Sequence, residues 1–139
     1  MKKNMLSLAM SLALLMSAAA HAQTTQMNLK VPFDFTVGSV TLPAGEYEVK
    51  ADGPWGGPVL SIHNVHSNAG SLVASISCRS QKPAADSKLV FRRYGQQYFL
   101  AEVWTANSFA GRQVKIDPRQ QELARNQPKK EVTLIASTR

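Results

Sequence analysis

Few groups in this chain are typed and spaced for chemistry. Beyond His21, the histidines are the pair in His63-Asn64-Val65-His66. On a helix, positions i and i+3 would share a face and chelate a metal. In a strand-to-turn setting the two rings diverge, and no nearby cysteine or acidic cluster completes a ligand set. No metal and no cofactor is therefore expected. Serines abound, but Ser61, Ser67, Ser71, Ser75 and Ser77 stand where strands and turns ordinarily carry hydroxyls, without a Gly-x-Ser-x-Gly elbow. Glu46 and Glu48 share one strand face beside Lys50, as solvated carboxylates do, and Glu102 lies near enough to Lys88 or Arg92 to pair across a hairpin. The glycines at 53, 56 and 57 lack both the Lys-Ser/Thr of a phosphate loop and a following helix. A non-enzymatic chain with no catalytic residue is the expectation; the enzymatic alternative is a small secreted hydrolase using His63 or His66 with Asp52.

Aromatic and basic residues carry the stronger signal. If Phe99, Ala101 and Val103 face the core, then Tyr98, Leu100 and Trp104 face away from it. Tyr98 and Trp104 would form a platform with Tyr94 and Trp55 near it and a basic rim from Arg92, Arg93 and Arg112. Such a surface suits an envelope or extracellular protein or an anionic polysaccharide. The competing reading has a C-terminal helix cover the same side and bury Tyr98 and Trp104. A second alternative is a homo-oligomeric structural protein of the envelope, joined through an uncovered strand edge near Pro32.

Charge bears on these partners. The chain carries 16 Lys and Arg against 9 Asp and Glu, a formal net charge of +7. The excess is spread along the sequence, and its tightest groups, Arg92-Arg93 and Lys129-Lys130, have no recognition motif around them. Nucleic acid is not an expected partner.

The elements that hold these residues begin with a leader. Lys2 and Lys3 precede an apolar run from Leu6 to Ala20, and Ala20-His21-Ala22 offers a small-x-small cleavage site. Residues 1–22 read as a signal peptide and 23–139 as a single β-rich domain, exported to the periplasm or beyond, with no transmembrane segment in the mature chain. The single cysteine, Cys78, excludes an internal disulfide.

Alternation at period two marks strands. Leu29, Val31, Phe33, Phe35 and Val37 share one side, with a bend or edge at Pro32. Leu42-Pro43-Ala44-Gly45 reads as a turn in which Gly45 takes a positive φ. Further strands are expected at Glu46 to Lys50, with Tyr47 and Val49 on one face, and at Val59 to His63, Ser71 to Cys78 and Lys88 to Tyr94. A tight turn at Gly95 leads into Gln97 to Trp104. Leu72, Ala74, Ile76 and Cys78 read as one inward face, with Cys78 a buried small hydrophobe. Val114 and Ile116 allow a short extended piece. Asp117 is an N-cap followed by Pro118 at the first helical position, so a helix is expected over Pro118 to Asn126 with Leu123 and Ala124 inward. Glu131 to Ser137 returns as a final strand. The fold class is all-β and mainly antiparallel: a small curled sheet, barrel-like or sandwich, with one short C-terminal helix.

Val31-Pro32-Phe33-Asp34-Phe35-Thr36-Val37-Gly38 and Thr41-Leu42-Pro43-Ala44-Gly45-Glu46-Tyr47, with Lys88-Leu89-Val90-Phe91-Arg92-Arg93-Tyr94-Gly95, Tyr98-Phe99-Leu100 and Val103-Trp104, form a recognisable set. Together with the charged segment from Arg119 to Arg125, the set resembles an uncharacterised family of small secreted proteins common in acidobacteria. The resemblance implies an exported single β-rich domain in a Gram-negative envelope. It implies no activity, cofactor or catalytic residue.

Overall fold

A computed structural model describes residues 26–52 and 58–136. The expected leader and Trp55 lie outside the described residues. The described residues form ten strands and one helix in the order β1 (Gln26–Val31), β2 (Phe35–Val37), β3 (Val40–Leu42), β4 (Gly45–Asp52), β5 (Val59–Asn64), β6 (Gly70–Arg79), β7 (Lys88–Tyr94), β8 (Gln97–Trp104), β9 (Ala110–Val114), α1 (Pro118–Asn126) and β10 (Lys129–Ile135). Pro32 ends β1, as a residue without an N–H must where a ladder would continue. The reversal between β2 and β3 turns at Gly38, whose φ of 60° a side chain would strain. Gly45 corrects the expectation made of it: its φ is not positive. It opens β4, where a Cβ would come 2.7 Å from the Asn64 amide nitrogen.

The ladders run β1-β4-β5-β6-β9-β8-β2-β3, with β7 on the other side of β8 and β10 beyond β7. All pairings are antiparallel except β2 with β8, which meet in parallel at Thr36 and Phe99. The barrel-like expectation is corrected here, because the sheet stays open. β1 and β10 approach each other, but no ladder joins them among the described residues. The reason lies in two strands. The first half of β6 pairs with β5 and its second half with β9. One edge of β8 is shared between β9 and β2. The chain therefore folds over as two facing layers, in the manner of a sandwich. Between them lie Leu29, Val31, Tyr47, Val49, Leu60 and Ile62 from one layer and Leu89, Phe91, Leu100, Val103 and Val114 from the other, with Phe35 and Val37 closing the end.

Two expectations about facing change for reasons of register. Leu60 and Ile62 point into the core, and their partners on β6 are Val73 and Ser71. Directly opposed residues share a face, so Leu72, Ala74 and Ile76 must point outward. Leu72 is 71% exposed and Ile76 49%, and Cys78 is only half-buried on the same outer face. On β8, Val90 opposes Glu102 but Phe91 opposes Leu100, which leaves Ala101 as a bulge. Leu100 and Val103 consequently both enter the core, and Phe99 turns to the outer face against Tyr94, their rings 5.9 Å apart.

The helix begins where its cap requires: the Asp117 carboxylate accepts from the Arg119 N–H at 2.8 Å, and Pro118 fills the first turn. Its inward contact differs from expectation. Gln120 is the buried residue, its amide 3.5 Å from the Tyr94 hydroxyl, while Ala124 is exposed and Leu123 half-buried. No helix among the described residues is long and apolar enough to cross a membrane.

Candidate functional site

The aromatic and basic residues fall in three places. Tyr94 is buried beneath α1 beside Phe99. Tyr98 lies on the inner side of β8, stacked on Phe33 with centroids 3.8 Å apart, and the Arg93 guanidinium sits 5.5 Å from its ring centre. Trp104 lies on the outer side, on the far arm of the Ala101 bulge. The structure thus does not bring Tyr98 and Trp104 together on one face, and the face of Tyr98 is already occupied by protein. Arg92 points outward, opposite Phe99 and Glu131. Arg112 is on the inner side of β9, donating from Nη1 to the Ser77 hydroxyl at 2.7 Å.

Trp104 is differently placed. Along the outer face, Ile135, Lys88, Trp104, Gly111 and Cys78 form one row across five strands. The next row holds Thr133, Val90, Glu102, Gln113 and Ile76. A Cβ at Gly111 would lie 2.6, 2.7 and 2.8 Å from three carbons of the indole. The ring therefore lies flat over the glycine backbone, in space that any side chain there would fill. Its N–H donates to the Glu102 carboxylate at 2.8 Å, which fixes its rotation. Trp104 is half-buried, and Ile135 at the end of its row is 62% exposed. No aromatic ring stacks on this indole among the described residues. Sequence reasoning singled out Trp104 and Glu102 but missed Gly111. The available signal was a lone glycine beside small and polar residues, a mark of close approach within a strand.

Beside this platform the Cys78 thiol is pushed up from its ordinary value by burial first and then by the Glu102 charge, with Arg112 opposing. It is a poor nucleophile at neutral pH. His63 is exposed on β5 opposite Glu48. His66 lies in the following loop, with Nε2 3.2 Å from the Glu46 carboxylate and its N–H donating to Asn64. The Asp52 side chain lies outside the described residues. Among the described residues no three His, Cys, Asp or Glu gather closely enough to hold a metal.

A shallow depression of about 230 Å³ at the tip of the β7–β8 hairpin is lined by Arg93, Gly95, Gln127, Pro128 and Lys130. The β7–β10 ladder sets Arg93 of one basic doublet directly opposite Lys130 of the other there, while Arg92 opposes Glu131 and Lys129 opposes Tyr94. Compared with known proteins, the chain matches no family model, no curated protein and no solved structure.

Proposed function

We propose that this protein is an exported, non-enzymatic domain that binds an envelope or extracellular polysaccharide through the outer face of β8 and β9. The observation that carries the reading is the Trp104 indole lying flat over Gly111 and held by Glu102. A π face is negative at its centre and the axial C–H bonds of a pyranose are its positive, apolar side, so the two stack. The polar groups around the ring suit the rest of a sugar. Glu102 keeps a second oxygen for a hydroxyl, Gln113 adds an amide opposite it, and Lys88 adds a cation beside the indole for a uronate carboxylate. A rigid aromatic ring needs no ordering on binding, which lowers the entropic cost of recruiting a weak ligand.

The test is gel retardation in soluble polygalacturonate, alginate and a neutral glucan at moderate salt. Retardation by at least one polymer that disappears in Trp104→Ala supports the assignment. Equal retardation of both proteins, or of neither, overturns it.

A further inference from the structure

We infer that the depression at the hairpin tip is an oxyanion-binding site, distinct from the Trp104 platform and independent of it. Arg93 and Lys130 are directly opposed in the β7–β10 ladder. Like charges in that position repel, and neither has a carboxylate within ion-pair distance among the described residues. An anion placed between them would turn that repulsion into attraction on both sides.

The guanidinium is also prepared for such a group. Arg93 Nε donates to the Gly95 carbonyl at 2.6 Å, and the Tyr98 ring lies 5.5 Å from its centre. Those contacts hold the fork in place, and its two terminal nitrogens have no protein acceptor among the described residues. Gly95, at a φ of 61°, permits the sharp turn that aims its carbonyl at Nε. The Gln127 side chain packs against the open side of Gly95, its Oε1 2.7 Å from where a Cβ would stand. Lys130 is exposed and supplies a second, mobile donor from the facing strand. A planar fork fixed at one nitrogen, with an ammonium across from it, matches two oxygens of a phosphate, sulfate or carboxylate group. Neither Tyr98 nor the walls offer an uncovered aromatic face there, so the group recognised is the anion rather than a ring.

Isothermal titration of the exported protein at fixed ionic strength tests this, with inorganic phosphate, sulfate and glucuronate as separate arms. Chloride replaces each anion so that general screening is constant. Saturable binding in at least one arm is expected, weakened roughly tenfold or more by Arg93→Gln and by Lys130→Gln, and partly kept by Arg93→Lys. The preferred arm tells a free or phosphorylated ligand from a uronate. Arg79→Gln, an exposed arginine at the far end of β6, leaves affinity unchanged. Lys130→Gln alters only an exposed side chain, so it reads out the site even if Arg93→Gln misfolds. Absence of saturable binding in every arm, unchanged affinity in Lys130→Gln, or an equal loss in Arg79→Gln overturns the inference.

Discussion

Replacing Gly111 by alanine should dislodge the indole while leaving the fold intact. The new Cβ would meet ring carbons at 2.6 to 2.8 Å, whereas carbon atoms in contact sit about 3.5–4.0 Å apart. The ring must therefore lift by roughly 1 Å, since Trp104 is a rigid plane and β9 is held in ladders on both sides. Lifting it stretches the 2.8 Å bond to Glu102 beyond useful length, and a hydrogen bond to a charged group is worth about 1.5–3 kcal/mol. The φ of Gly111 is not positive, so alanine also restricts the unfolded chain and returns about 0.4–1 kcal/mol. The net expectation is a loss of about 0.5–2.5 kcal/mol, with a cooperative transition retained. Chemical denaturation gives the stability, and the indole N–H resonance of Trp104 gives the ring position. A variant as stable as the parent, with an unshifted indole signal, would show that the ring does not rest on the glycine.

Glu102→Gln removes a charge that raises the Cys78 thiol, so alkylation by iodoacetamide at pH 8 should speed up, measured by mass spectrometry; an unchanged rate contradicts the placement. In the parent, the raised thiol contributes stability fully below its ordinary 9.0, and that contribution is lost above it as the unfolded chain ionises first. The urea midpoint of the parent should accordingly fall relative to that of Cys78→Ser as pH rises past that value. Asp117→Ala removes the cap of α1 and should cost about 1 kcal/mol by denaturation. Phe91→Ala, at the fully buried centre of the core, should cost about 3–5 kcal/mol. A loss under about 1 kcal/mol would place Phe91 elsewhere.

Much of the architecture was legible because local signals agreed. The 88–104 hairpin, the helix between Asp117 and Pro128, and the bend at Pro32 each rest on residues whose backbone preference admits few alternatives. The facing of β6 was not legible. Leu72-Val73-Ala74 is apolar at every position, so alternation there cannot choose a side, and the register against Leu60 and Ile62 decides it. The bulge at Ala101 was equally silent, since one extra residue in Leu100-Ala101-Glu102 leaves no mark in composition, yet it sends Tyr98 and Trp104 to opposite sides. β9 was missed as a strand over Ala110–Val114 because its outward positions are a glycine and a glutamine. Its glycine is explained only by the ring above it. The basic depression was half visible: both doublets stood out, but their meeting is a property of the ladder between β7 and β10.

The most direct test is a titration of the isotopically labelled protein with short polygalacturonate oligomers, followed through the Trp104 indole N–H and the Glu102 and Gln113 amides. Saturable shifts concentrated at these three residues and abolished in Trp104→Ala are expected. Shifts confined to another face, or none with any acidic or neutral oligosaccharide, would contradict it.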